Sequence, residues 1–135
     1  MAKKLKKGIK DLVAEAEAEV KTISLEDAIK RHGDDDLVFV DVRDIRELER
    51  DGTIPGAIHA PRGMLEFWFD PESPYHKEHF GHDDKTYVLY CAAAWRSALA
   101  TKTLQDMGFT NVAQFADGFK AWKEAGGPVV DKEKK

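Results

Sequence analysis

The chain has 135 residues, a length that suits one domain with its own hydrophobic core. Five of its 21 basic residues are lysines within the first ten positions, which leaves residues 11–135 with 16 basic against 25 acidic residues, a net charge of −9. An acidic body argues against nucleic acid as a partner. No apolar run reaches membrane-spanning length and no signal-peptide core is present, so we expect a soluble, cytoplasmic protein without membrane contact.

Residues 1–21 predict an amphipathic helix that precedes the main domain. Its apolar residues recur at steps of three and four, with lysine and glutamate between them: Leu5, Ile9, Leu12, Val13, Ala16 and Val20. We expect this face to pack on the chain's own domain or, as the alternative, to join two copies. The glutamates on the polar face disfavour a membrane surface. The protein is therefore predicted to be a monomer or a homodimer through this helix.

Residues 22–130 alternate short strand patterns with helical ones, as is typical of an α/β domain with a parallel sheet. The apolar run over 37–40 has the composition of a strand buried on both faces. Shorter strands are expected near 23, within 54–61, at 87–90 and at 112–115. Helices are expected over 24–33, 44–50 and 96–107, and from Asp117 to the glycines at 126–127. Residues 131–135 are expected to form a disordered tail.

Residues 62–85 form the least regular stretch and are rich in aromatic residues and histidines. We interpret the aromatic residues of 64–80 as a lid, a pocket wall or a docking surface rather than as plain exposed surface. His76 and His79 would share one helix face, as metal ligands often do. No cysteine or carboxylate set completes such a site, so no metal is predicted.

The only cysteine lies in the stretch that points most directly to chemistry. Residues 87–97 read Tyr-Val-Leu-Tyr-Cys-Ala-Ala-Ala-Trp-Arg-Ser, a strand, a tight loop and the start of a helix. Free amides at a helix N-terminus favour an anion, and Arg96 adds a positive charge, so Cys91 is expected to be a thiolate nucleophile. The three alanines leave room for backbone amides to converge on one point. A cysteine after a strand can also be a small core residue, but an arginine so close would then be costly.

With these elements placed, four stretches over about residues 22–130 resemble the rhodanese family, the single-domain sulfurtransferases. They are Asp41-Val42-Arg43 followed by Glu47, Ile54-Pro55-Gly56-Ala57-Ile58, Cys91 to Ser97, and Gly118 to Trp122 with Ala125 to Val129. The resemblance implies a five-stranded, mostly parallel sheet with helices on both faces. It also implies a site at the carboxyl edge of a central strand.

By the same resemblance, Cys91 would take the outer sulfur of a donor such as thiosulfate as a persulfide. It would pass that sulfur to cyanide or another small thiophilic acceptor, or to a protein acceptor, without a metal or organic cofactor. The persulfide would be bound by the amides of the loop residues Ala92, Ala93, Ala94, Trp95, Arg96 and Ser97. Arg96 would also orient the loop and attract the donor. Asp41, His59 and Arg62 follow strand ends and are candidates for support of the loop or pocket.

The sequence departs from the family pattern at two positions. Ala94 stands where a glycine is common, and a positive φ there would cost on the order of 1 kcal/mol in strain. Asp117 replaces the first of a glycine pair before the last helix, which we interpret as a tolerated change in a turn. Nearby, an ion pair between Asp41 and Arg43 is expected, and the i, i+4 spacing of Arg43 and Glu47 suits a second local pair.

Two other functions fit parts of the pattern. Phosphatases and arsenate reductases of this fold need five residues between cysteine and arginine, whereas four separate Cys91 from Arg96, and Ser97 holds the next position. A persulfide carrier or protein-binding module with little small-molecule turnover would need Cys91 as well. Turnover with small donors and acceptors distinguishes that carrier from an enzyme.

Overall fold

The computed structural model describes residues 2–115 and 117–132, and its centre is a sheet of five strands that all run parallel. The strands are Thr22–Ile23 (β1), Leu37–Asp41 (β2), Ile58–His59 (β3), Thr86–Tyr90 (β4) and Val112–Phe115 (β5). They lie in the order β1-β5-β4-β2-β3, so β4 is the central strand. The predicted α/β fold with a mostly parallel sheet is confirmed. Residues 133–135 of the predicted disordered tail lie outside the described residues.

In the described ranges, six α-helices connect and flank these strands: α1 (Ile9–Glu19), α2 (Leu25–Lys30), α3 (Ile45–Asp51), α4 (Leu65–Phe69), α5 (Trp95–Asp106) and α6 (Gly118–Glu124). The N-terminal helix is confirmed but begins at Ile9, because Gly8 is its cap and donates its N–H to the Asp11 carboxylate at 2.9 Å. The predicted cap of α2 is also present, with Ser24 Oγ accepting the Asp27 N–H at 3.0 Å. None of the helices described is long and apolar enough to cross a membrane.

The helices cover both faces of the sheet, as expected from the resemblance. Side chains of β4 alternate between the faces: Leu89 packs among residues of α4 and α5, while Val88 packs among residues of α2 and α6. Val13 and Ala16 are buried where α1 lies on α5, so the N-terminal helix packs on its own domain. The carboxyl end of β4 therefore opens between two helical layers.

Residues 62–85 are more regular than predicted, with a 3-10 turn at Arg62–Met64 followed by α4. The lid or pocket-wall interpretation is wrong for Phe69 and Phe80, whose rings are stacked at 4.4 Å and buried against Tyr87. They are core residues because α4 covers one face of β4 with large apolar side chains. Phe67 and Tyr75, by contrast, lie exposed on the surface in edge-to-face contact.

Two of the three histidines of this segment bind backbone groups through their rings. His76 Nδ1 donates to the Trp68 carbonyl oxygen at 2.9 Å, and His82 Nε2 donates to the Glu78 carbonyl oxygen. Across residues 2–115 and 117–132, no group of three or more His, Cys, Asp or Glu side chains is placed to hold a metal ion.

Candidate active site

Cys91 follows directly on Tyr90, the last residue of the central strand, and only 1% of the residue is exposed. Residues 92–94 turn the chain, and α5 begins at Trp95, which gives the strand, loop and helix start that the sequence predicts. Ala93 and Trp95 are exposed on the rim of this turn. The sulfur thus lies at the carboxyl edge of the sheet, beneath a short loop and beside a helix N-terminus.

Ala94, the cap of α5, has φ −147° and ψ −9°. The strain considered for an alanine at this position is therefore absent, because its φ is negative. The strained backbone lies at Asp117, which with φ 71° is the one non-glycine residue of positive φ in the described ranges. Aspartate tolerates this left-handed conformation better than most residues, which fits the interpretation of a tolerated change in a turn.

The loop is fixed from behind by the start of α6. The N–H of Phe119 donates to the Cys91 carbonyl oxygen at 2.8 Å, and the N–H of Lys120 donates to that of Ala92 at 3.1 Å. Because a trans peptide directs its C=O and N–H to opposite sides, the N–H groups of Ala92 and Ala93 point away from α6. The loop amides are therefore available on the side that does not face that helix.

Gly118 makes this contact possible. Its φ is +74°, and a Cβ at this position would lie 1.9 Å from the Ala93 carbonyl oxygen and 2.7 Å from that of Cys91. Only glycine combines this φ with such a close approach of two backbones. The sequence places Gly118 in a family motif but does not reveal that it packs against the cysteine loop.

A chain of hydrogen bonds starts at the sulfur. The Cys91 thiol donates to Ser97 Oγ at 3.7 Å, and the Ser97 hydroxyl donates to Gln114 Oε1 at 2.7 Å. The Gln114 amide donates in turn to Thr22 Oγ1 at 3.2 Å. The chain links the loop to β5 and β1. Sequence reasoning missed Gln114 and Thr22, and the only available signal was a polar residue inside the apolar strand at 112–115.

Arg96 is held by an ion pair rather than left free. Its two terminal nitrogens donate to the Glu47 carboxylate at 2.6 and 3.0 Å, and the Asp44 N–H donates to the same carboxylate at 3.1 Å. The hydrogen bonds from Arg96 hold the pKa of Glu47 below its ordinary value, and they raise the pKa of Arg96. The expected local pair of Arg43 with Glu47 is wrong, because Glu47 reaches across to the cysteine loop.

Arg43 instead pairs with Asp41, as the sequence predicts. Both side chains are buried, with Arg43 Nη2 2.8 Å from Asp41 Oδ2 and also donating to the Gly52 carbonyl oxygen at 2.8 Å. Thr53 Oγ1 donates to the same carboxylate at 3.1 Å. The guanidinium lies 4.3 Å from the ring centre of Phe119, so this network braces the start of α6.

The two remaining candidates lie in different places. His59 Nε2 donates to the Arg43 carbonyl oxygen at 2.7 Å, so His59 lies beside the pair of Asp41 and Arg43. Arg62 donates to Glu66 at 2.9 Å and Thr103 at 3.2 Å, and it lines a groove between α1 and α5. Contact of either residue with a substrate stays a prediction.

A cavity of about 530 Å³ opens beside the loop. Its lining combines basic, acidic and apolar side chains: Arg43, Asp51, Ala92, Phe119, Lys120, Lys123 and Glu124. Arg43 is already paired with Asp41, so Lys120 and Lys123 stand against Asp51 and Glu124 and the lining is close to neutral. The two lysines are the groups of this lining that can attract a small anion.

The fold and the site together define an open, parallel α/β domain that presents one cysteine on a tight loop at the carboxyl edge of its central strand. The Rhodanese-like domain family matches residues 24–125, and the chain belongs to this family.

Three relatives place the chain more closely. It is 32% identical over 111 residues to YrkF of Bacillus subtilis (strain 168), a protein proposed to be a sulfur carrier. The alignment covers 81% of this chain and 54% of YrkF. It is 32% identical over 89 residues to the human thiosulfate:glutathione sulfurtransferase, with 62% of this chain and 76% of that protein covered. A protein of unknown function from Rhodopseudomonas palustris CGA009, called a possible tyrosine phosphatase, shares 52% identity and a TM-score of 0.92 over 96% of this chain and 99% of that one. The chain thus spans about half the length of YrkF.

Proposed function

We propose that the protein is a sulfurtransferase that moves a sulfane sulfur through a persulfide on Cys91. The observation that carries the proposal is the placement of Cys91 under a loop whose carbonyl groups are held by α6, so that loop amides remain for an anion. The family and the relatives named for sulfur carriage and transfer support the same assignment.

The reaction has two displacements. The Cys91 thiolate attacks the outer sulfur of thiosulfate, a sulfur–sulfur bond forms to the cysteine, and the old bond breaks with its electron pair leaving on sulfite. Cyanide or another thiophilic acceptor then attacks the outer sulfur of the persulfide, and the electron pair of the broken bond returns to the Cys91 thiolate. Charge and atoms balance without a cofactor. The loop amides bind the terminal sulfur while it carries negative charge.

A tyrosine phosphatase activity, which the name of the R. palustris protein suggests, fits this loop poorly. The position that would carry the phosphate-binding arginine holds Ser97, which is buried and donates to Gln114. Arg96 is one residue too early and is paired with Glu47. We expect no hydrolysis of para-nitrophenyl phosphate above that of a Cys91→Ser variant.

A persulfide carrier is the second candidate, favoured by the similarity to YrkF. A carrier would use the same first displacement but would hold the sulfur until a protein acceptor arrives. The exposed rim at Ala93 and Trp95 gives such an acceptor a surface to approach.

Intact-mass measurement after incubation with excess thiosulfate tests the proposal, with the wild type beside Cys91→Ala. The wild type should gain the mass of one sulfur atom, and cyanide should remove it with repeated release of thiocyanate, while the variant stays unchanged. Loading without repeated release would assign the carrier function. Failure of the wild type to load from both thiosulfate and a small persulfide would overturn the proposal.

A further inference from the structure

The apolar face of α1 extends beyond the surface on which the helix packs. Ile9 shares one helix face with Val13 and Ala16, at spacings of four and three residues. Val13 and Ala16 are buried, yet Ile9 is 50% exposed, its neighbour Leu12 is 43% exposed, and Leu5, which precedes α1, is 62% exposed. The domain therefore covers the second half of the stripe and leaves the first half in solvent.

A groove of about 390 Å³ lies beside this stripe, between α1 and α5. Its lining combines two leucines with polar and charged side chains: Lys7, Leu12, Glu15, Arg62, Leu99, Lys102, Thr103 and Asp106. The groove can receive an apolar side chain at Leu12 and Leu99 and charged groups around them. An exposed apolar stripe beside such a mixed groove on one molecule suits a second molecule of the same kind.

The charge pattern of α1 sets the orientation of such a pair. Lys3, Lys4, Lys6 and Lys7 precede α1 and Lys10 lies in its first turn, so this end is basic, while Glu15, Glu17 and Glu19 make the second half of α1 acidic. Glu15 and Glu19 accept Lys7 and Lys102 within the chain, but their side chains stay about half exposed. Two α1 helices placed antiparallel about a two-fold axis bring each basic end against an acidic half, whereas parallel helices bring like charges together.

From these three features we infer that the protein forms a homodimer through antiparallel contact of the two α1 helices. Leu5, Ile9 and Leu12 of each copy cover the groove of the other, and the lysines before Ile9 meet the glutamates of the partner. A phospholipid surface is the competing occupant, since the same half of α1 is both basic and apolar. The glutamates that follow it would oppose an anionic bilayer but complement a second copy.

Sedimentation equilibrium of the full chain measures the association. The wild type should dimerise, and Leu12→Glu should weaken the dimer at least about 10-fold, because a charge then enters the contact. Val130→Glu is the matched control, since Val130 is also exposed (44%) and lies by Thr53, away from α1. Circular dichroism should show all three proteins folded. A monomeric wild type at every concentration would overturn the inference.

Charge reversal tests the orientation and separates the dimer from a membrane. One variant carries Lys6→Glu and Lys10→Glu, and a second carries Glu15→Lys and Glu19→Lys. Each should dimerise poorly alone, because its two halves then carry the same sign of charge. A third variant with all four changes should dimerise with itself but not with the wild type, whereas parallel contact would favour the mixed pair. Pairing of this variant with the wild type in preference to itself contradicts the antiparallel pair. Vesicles of phosphatidylcholine and phosphatidylserine that capture the second variant and the wild type, without dimer in solution, would assign α1 to a lipid surface instead.

Discussion

Glu47 and Arg96 form a two-pronged ion pair that joins α3 to the loop of Cys91, at 2.6 and 3.0 Å. Glu47 is itself fixed, because it is the third residue of α3 and accepts the N–H of the capping residue Asp44. Arg96 is thereby oriented by a helix from another part of the chain. Its charge is largely balanced by Glu47, so attraction of an anionic donor falls more to the basic residues of the cavity, Lys120 among them.

Glu47→Gln should slow sulfur loading of Cys91 by about 10-fold, because the loop loses the partner that positions Arg96. The free energy of unfolding should fall by no more than about 1 kcal/mol, since the pair is partly exposed. Loading is followed by intact mass at early times, and stability by urea unfolding. Glu49→Gln, on the same helix, is the control. Equal loading rates in the two variants would show that the ion pair does not position the loop.

The same pair predicts a dependence of stability on pH. The hydrogen bonds of Arg96 lower the pKa of Glu47 in the folded state. The ionised carboxylate therefore stabilises the fold at pH values above its pKa in the unfolded chain, and this stabilisation is lost as pH falls through its lower pKa in the folded state. The difference in unfolding free energy between wild type and Glu47→Gln should be constant above about pH 5 and should narrow below about pH 4. Urea titrations across this range measure it. A difference that grows on acidification would contradict the role of the carboxylate.

Gln114→Leu should lower the free energy of unfolding by about 1 kcal/mol, because the buried Ser97 hydroxyl loses the nearer of its two acceptors, at 2.7 Å, and keeps the Ala94 carbonyl oxygen at 3.2 Å. Removing both partners is less costly than removing one. The double variant Ser97→Ala, Gln114→Leu should therefore be more stable than the sum of the single effects predicts, by at least about 0.5 kcal/mol. Chemical unfolding of the four proteins gives this coupling. Additive effects would mean that the two side chains do not act as a pair.

Gly118→Ala should prevent the close packing of α6 on the cysteine loop. Gly108→Ala is a sharp control, because Gly108 also has a positive φ, +110°, but an added Cβ there meets nothing within 4 Å. The control should lose about 1 kcal/mol for the backbone conformation alone. Gly118→Ala should lose more than this and also lose sulfur loading. Equal losses of stability with loading intact would show that the backbone approach at Gly118 is not needed.

Local patterns were enough to predict the elements that build the site. The apolar runs of β2 and β4, the cap of α2 and the strand-loop-helix around Cys91 depend on neighbours in sequence, which a reader of the chain can see. The resemblance supplied the sheet and the position of the cysteine at its edge. The expected pair of Arg43 with Glu47 failed because i, i+4 spacing favours a pair only when both residues lie on one helix, and α3 begins after Arg43.

The contacts that sequence reasoning missed are long-range. Gln114 reaches Ser97 and Thr22 only because β1 lies beside β5, and β5 beside β4, an order that composition does not reveal. The close approach of Gly118 depends in the same way on where α6 meets the loop. The start of α1 at Ile9 was missed because the apolar periodicity continues back to Leu5, whereas the N-cap at Gly8 makes Ile9 the first helical residue.

The hydrogen bonds from the start of α6 to the carbonyl groups of Cys91 and Ala92 have a thermodynamic consequence. The loop takes its shape during folding, from contacts behind it, so an arriving sulfur atom meets amides that are already arranged. Little conformational entropy is then lost when the cysteine is loaded, and little is regained when it is emptied. On the proposed function, the lifetime of a sulfur bound to Cys91 would therefore be governed by which acceptors reach the rim at Ala93 and Trp95, and not by any opening or closing of the backbone.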